Sequence, residues 1–281
     1  MGALEVVALA LIQALTEFLP VSSSAHLVLA RWLLGWTDPG LAFDVALHVG
    51  TLLALTAYFA PTWIRILGLA AGRRLLTPGP DHPDRDLYRK PGLLWYLVAA
   101  TLPAATAGLV LKDVIETHLR GPRVIGWMLV GVGCLIWWAD RRSRLRKGLD
   151  QLSFPGAMAV GCAQALALVP GTSRSGITIA AGLLLGLERR AAAQFSFLLA
   201  MPAVLGAGLK TASDLLYGAA PTAATRADIA LGIAVSAVSG YAVIKYFLRY
   251  LQTSNLAPFV YYRLGIGLVV LGAASNLGQG G

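Results

Sequence analysis

The apolar positions of this 281-residue chain run in long blocks with few polar interruptions. A hydrocarbon core of about 30 Å takes roughly 20 predominantly apolar helical residues. Six blocks reach or approach that length: 41–60, 93–111, 124–139, 192–209, 229–248 and 259–274. Two more, 3–36 and 154–187, are each interrupted midway by a polar, proline-containing knot, FLPVSSSAH in the first and VPGTSRSG in the second. The apolar pieces beside each knot hold about 11–15 residues, or about 16–22 Å as helix, too short to cross comfortably. Irregular backbone at membrane depth is tolerated only where protein buries it or it lines a wet cavity. The pattern therefore predicts an all-α polytopic membrane protein, with six transmembrane helices plus two re-entrant helix-turn-helix hairpins.

Composition agrees. The chain is 57% hydrophobic and 13% charged, where a soluble domain carries about 45–50% apolar and about 25% charged residues. The 23 basic and 14 acidic residues leave a net charge of +9. In a soluble chain that excess would suggest nucleic acid, but here the basic residues sit between apolar runs and report topology. Arg65, Arg73, Arg74, Arg85, Arg89 and Lys90 after the first span, and Arg141, Arg142, Arg144, Arg146 and Lys147 after the third, put those two loops in the cytoplasm. Segments with more balanced charge, around Asp113 and Glu116 and around Asp214 and Asp228, fall outside. Cys134 and Cys162 have no metal-ligand spacing and are expected to be packed or lipid-facing thiols. The first 20 residues lack a basic n-region and a cleavage site and contain Glu5, Gln13 and Glu17, unlike a cleaved signal peptide.

Gln13-Ala14-Leu15 precedes the first knot and Gln164-Ala165-Leu166 the second, at an offset of about 150 residues. Three candidate spans follow each knot. The chain thus divides into 1–150 and 151–281, two repeats of hairpin plus three helices in opposite orientation. Such an inverted repeat places its site where the halves meet, near the midplane.

Charged side chains at that depth cost about 2.5–3.5 kcal/mol even on the translocon-insertion scale, which singles out Glu17 and Arg174. A bare ion pair locking the hairpins is the plainer reading. The surrounding hydroxyls point instead to a ligand. In the second knot, Gly171 and Gly176 allow close approach, a helix N-terminus offers N–H groups, and Arg174 can grip phosphate oxygens bidentately. Thr172, Ser173 and Ser175 supply more hydroxyls than a helix cap needs. In the first knot, Ser22, Ser23 and Ser24 are nucleophiles or donors, His26 exchanges a proton near neutral pH, and Glu17 serves as a base or divalent-cation ligand. Gln13 shares a helix face with Glu17. His48 and Asp44 are candidates for the cavity wall, His82 and His118 carry no indicated role, and Trp137 and Trp138 read as an interfacial anchor.

At these knots the sequence resembles the undecaprenyl-pyrophosphate phosphatases, integral-membrane enzymes linked to bacitracin resistance. QALTEFLPVSSSAH, from Gln13 to His26, is similar to that family's (E/Q)xxxE motif with its serines and histidine, and PGTSRSGIT, from Pro170 to Thr178, to its PGxSRSxxT motif. Similarity extends through FSFLLAMP, from Phe195 to Pro202. Gln13 stands where many members have Glu, which bears on any mechanism needing two carboxylates on that turn. The resemblance implies hydrolysis of undecaprenyl pyrophosphate to undecaprenyl phosphate and inorganic phosphate, recycling the lipid carrier of cell-wall synthesis. It places the site on the outer side of the bacterial cytoplasmic membrane and implies a divalent cation, Mg2+ or Ca2+, with Glu17 as metal ligand. Glu17, Ser23, His26 and Arg174 would form the catalytic set. Gln13, Ser22, Ser173, Ser175 and Thr178, with Ser24 and Thr172, would surround the pyrophosphate. Partners are then the lipid substrate and membrane lipid, without nucleic acid, and a homodimer is compatible with the sequence. A lipid-phosphate or small-anion transporter is the rival reading, because broken helices and midplane charges serve transport equally well.

Overall fold

The computed structural model describes residues 1–73, 75, 90, 92–119, 121–216 and 223–277. Arg74, His82, Arg85 and Arg89 lie outside the described residues. Each interrupted block folds as two short helices, α1 (Ala3–Phe18) and α2 (Ser23–Leu34) in the first, α7 (Phe154–Leu166) and α8 (Arg174–Leu184) in the second. Between the pairs come α3 (Leu41–Ala70), α4 (Leu93–Val110), α5 (Lys112–His118) and α6 (Pro122–Arg142). After them come α9 (Arg189–Leu216), α10 (Arg226–Tyr250) and α11 (Ala257–Leu277). Among the described residues there is no strand, only an isolated bridge between Lys147 and Leu187.

Among the described residues five helices, α3, α4, α6, α10 and α11, are long and apolar enough to cross a membrane. The sixth expected span falls within α9, outside those five. Its polar residues Gln194 and Ser196 are buried, so this helix turns hydrophilic groups inward. The connection expected at 112–123 contains the one-turn-and-more helix α5. Large apolar side chains cover the outside, with Leu109 84%, Leu4 80% and Val238 75% exposed. Monomeric soluble proteins rarely show contiguous apolar surface, so this exterior fits a multi-pass membrane protein. Cys134 and Cys162 are free and lie on it.

The two halves of the chain interlock. α1 packs on α10 from the second half, α7 packs on α4 from the first, α3 lies against α9 and α10, and α6 lies against α11. Both ends of the α1–α2 pair lie by the start of α10: the Met1 ammonium is 3.7 Å from Asp228, and Ala223 N–H donates to Pro39 O at 3.1 Å beyond α2. Both ends of the α7–α8 pair lie by the segment after α6, where Arg146 and Lys147 N–H groups donate to Gly186 O at 3.2 and 3.1 Å. In each pair the outer ends of the two helices therefore lie by one neighbouring segment.

Helix association in lipid relies on close packing and small residues, and two glycines show it. Gly161 of α7 lies directly on the Ala100 backbone of α4, and a Cβ on Gly50 of α3 would stand 2.6 Å from Ile233 O of α10. An aromatic chain fills the centre: Phe18 meets Phe197 edge-on at 5.4 Å, and Phe197 is followed by Phe247 at 6.2 Å and Phe259 at a further 5.4 Å. Gly161→Ala and Gly50→Ala are predicted to destabilise the fold by about 1–3 kcal/mol through overpacking. Melting temperatures in detergent would check this against Gly131→Ala, where a Cβ meets nothing within 4 Å.

Candidate active site

The two breaks are built alike. Pro20 and Pro170 cannot donate a backbone hydrogen bond, and each helix restarts after a serine held at positive φ, Ser22 at 80° and Ser173 at 68°. Such backbone costs on the order of 1–3 kcal/mol outside glycine, so tertiary contacts must hold it. Gly171 is at φ 89°, and an added Cβ there would stand 2.6 Å from Ile125 O. Ser22 and Ser24 hydroxyls lie 3.3 Å apart, and their counterparts Ser173 and Ser175 lie 3.2 Å apart. Ser173 Oγ also accepts from Gly176 N–H at 3.1 Å, capping α8.

The breaks meet at Glu17, which is buried. Arg174 Nη2 donates to Glu17 Oε1 at 2.9 Å, while Ser23 Oγ and Gln13 Nε2 donate to Oε2 at 2.9 and 3.2 Å. Ser23 and Arg174 are the first residues of α2 and α8, so two helix N-termini converge on one carboxylate. The N–H groups at the start of a helix lack intrahelical acceptors and present a positive dipole end. Among the described residues, those of Ser23, Ser24, Arg174 and Ser175 have no acceptor in the protein. Arg174 Nη1 donates to Ser196 O at 3.2 Å, which fixes the guanidinium from the α9 side.

The remaining candidates divide by contact. Ser175 Oγ donates to Leu19 O at 3.0 Å and ties α8 to the first break. Thr178 Oγ1 donates to Arg174 O at 2.7 Å and lies 2.6 Å from Ser196 Oγ, so its hydroxyl supports the Arg174 turn from within. Thr172 is buried with its hydroxyl unpartnered, and Ser24 is exposed. No hydrogen bond joins His26 to Glu17 or Ser23. Its Nδ1 is 2.6 Å from Ser22 O and its Nε2 2.9 Å from the Tyr262 hydroxyl, with the two rings stacked at 5.5 Å. A carbonyl partner requires a proton on Nδ1, so the neutral ring accepts from Tyr262 at Nε2.

His48 is brought to the cluster, its Nε2 3.6 Å from Glu17 Oε2 and its Nδ1 2.8 Å from Asp44 O. The Asp44 carboxylate turns away and accepts from both terminal nitrogens of Arg31 at 2.8 and 3.1 Å. Sequence reasoning missed Tyr262, Arg263 and Ser196. Arg263 is completely buried. A charged residue inside the apolar block 259–274 was the available signal.

Oxygen donors for a hard divalent cation are present. Gln13 Oε1 is buried without a partner beside the Glu17 carboxylate, and Ser23 Oγ adjoins it. Among the described residues no three His, Cys, Asp or Glu side chains cluster for a metal. That donor set suits an ion sharing its coordination with substrate phosphates and water, as Mg2+ commonly does.

Comparison with known proteins bears on the whole chain. An "Undecaprenyl-diphosphatase" of Teredinibacter turnerae is 48% identical over 274 residues, covering 96% of this chain and 98% of that protein. One of Pelotomaculum thermopropionicum is 43% identical over 280 residues, covering 99% and 100%. "Undecaprenyl-diphosphatase 2" of Stutzerimonas stutzeri is 45% identical over 275 residues, covering 96% and 98%. The family model described as Bacitracin resistance protein BacA matches residues 6–269, and with these relatives it establishes that the chain belongs to the BacA family.

Proposed function

We propose that this protein hydrolyses undecaprenyl pyrophosphate to undecaprenyl phosphate and inorganic phosphate, as the names of its relatives state for them. The observation that carries the reading is the Ser23–Glu17–Arg174 chain at two converging helix N-termini. A hydroxyl bonded to a carboxylate is an activated nucleophile, and an arginine beside free N–H groups is an anion site.

The pyrophosphate is held by Arg174 and the N–H groups of α2 and α8. Phosphoryl transfer asks mainly for positioning and charge neutralisation. Ser23 Oγ attacks the terminal phosphorus while Glu17 takes its proton. The bond from that phosphorus to the bridging oxygen breaks, and undecaprenyl phosphate leaves. Water then splits the Ser23 phosphoester, returning the serine and releasing phosphate. His26 holds the backbone of Ser22, next to the nucleophile, and ties it to α11 through Tyr262. Glu17 and Gln13 Oε1, with Ser23 Oγ, would hold Mg2+ or Ca2+, which when bound supplies further neutralisation of phosphate charge. Phe18 and Phe197, whose rings meet at 5.4 Å, follow Glu17 and Ser196 in sequence and pack α1 against α9.

We also propose that the fold is an inverted repeat of 1–150 and 151–281, with α1–α2 and α7–α8 as re-entrant hairpins and α9 as the sixth span. The matching serine geometry, the adjoining ends of each pair and the reciprocal packing of α1 on α10 and α7 on α4 support it. The basic segment after α6 supports placing its side in the cytoplasm, and an opening of the site toward the outer face of the cytoplasmic membrane is what the resemblance implies. A homodimer is compatible with this arrangement.

Phosphate release from undecaprenyl pyrophosphate by detergent-purified protein, with Mg2+ or Ca2+ added, tests the reading without a second compartment. Arg174→Ala and Glu17→Gln are expected to lose about 10³-fold or more in kcat while remaining folded. Intact, folded protein that releases no phosphate under either cation would favour the transporter. Ser23→Ala should lose a comparable factor, and ³²P on Ser23 in quenched wild-type reactions should mark the intermediate. A loss under about tenfold, without label, would instead assign the attack to water. His48→Ala, which removes only a neighbour of Glu17 at 3.6 Å, should cost about tenfold or less in kcat/KM.

A further inference from the structure

Arg263 sits in α11, outside both motifs, with no side-chain exposure and no carboxylate within 4 Å among the described residues. Its guanidinium faces five backbone carbonyls. Nε donates to Leu129 O at 2.8 Å, Nη1 to Pro20 O at 3.2 Å, and Nη2 lies 3.1 Å from Met128 O and 2.6 Å from both Gly171 O and Thr172 O. Three of these carbonyls belong to the helix breaks, one from the first and two from the second. None can be satisfied by a continuing helix, and a buried unpaired carbonyl is costly.

We propose that Arg263 is a positioning residue for phosphoryl transfer, holding the two breaks in register so that Ser23 and Arg174 act on one phosphorus; this rests on the phosphatase reading above. In a trans peptide the N–H points opposite to the C=O. Fixing the Thr172 carbonyl on Arg263 therefore turns the Ser173 N–H to the far side, where it has no acceptor among the described residues. Fixing Pro20 O on the same guanidinium ties the backbone three residues before Ser23 to the backbone two residues before Arg174. The neighbouring Tyr262 holds His26 from the same helix. α11 thus reaches the site through two consecutive side chains and touches no proposed reacting atom. Lysine would keep the charge, but its three donors radiate from one nitrogen and cannot span this set of carbonyls as a planar fork does.

The test compares full-length wild type, Arg263→Lys and Arg263→Met in detergent, measuring phosphate release from undecaprenyl pyrophosphate together with melting temperature and elution profile. The expected result is folded variants whose kcat falls ~10–100-fold with KM within ~3-fold, since small misplacements of reacting groups cost that much, and partial recovery of kcat in Arg263→Lys. Folded Arg263→Met with wild-type kcat, or a change in KM alone, overturns the inference. So does failure of both variants to fold, which makes Arg263 a folding residue. An inactive wild type overturns the phosphatase reading itself, and this inference with it.

Discussion

Two helix breaks meet inside the protein, and the carbonyls they bury need partners. The structure sorts their backbone groups by sign. The N–H ends of α2 and α8 lie on the side of the Glu17 carboxylate and the serine hydroxyls, where Ser23 and Arg174 both reach the acid. The carbonyls of Pro20, Gly171 and Thr172 turn to the Arg263 guanidinium. Satisfying the carbonyls in this way leaves free N–H donors on one side of the breaks, so the constraint on irregular backbone at membrane depth also leaves donors for the proposed pyrophosphate.

The Glu17–Arg174 pair is better understood as organisation than as stability. A buried ion pair recovers little net free energy after desolvation. Here it orients an arginine that Ser196 O holds from the other end, and it presents the carboxylate oxygen Oε2 to Ser23. Gln13 completes the arrangement by donating with its amide nitrogen and leaving its oxygen unpartnered. A carboxylate at that position would have added negative charge beside Glu17; the amide instead offers a neutral oxygen and a donor.

Interlocked packing holds the breaks opposed. Because α1 lies on α10 and α7 on α4, neither hairpin can shift without disturbing helices of the other half. Gly161 lets the α7 and α4 backbones approach, and Gly50 does the same for α3 on α10. Phe18 and Phe197 link α1 to α9 through their rings, one residue along from Glu17 and from Ser196.

Much of this was legible from the amino-acid order. Lengths of apolar runs depend on the bilayer thickness, and a proline-containing polar knot cannot continue a helix, so the helices and both breaks could be placed directly. Glu17, Ser23 and Arg174 stood out because charge and clustered hydroxyls are expensive among apolar neighbours. What the order of residues could not supply was the partner of each group. His26 looked free to act on Ser23, yet its two nitrogens are taken by Ser22 O and Tyr262; of the two cavity-wall candidates, His48 borders Glu17 while the Asp44 carboxylate turns to Arg31. Arg263 lies more than 90 residues from the nearer break in the chain and gathers carbonyls from both. Its partners are backbone atoms, which every residue type carries, and only the tertiary fold decides which of them are left without a helix and brought together.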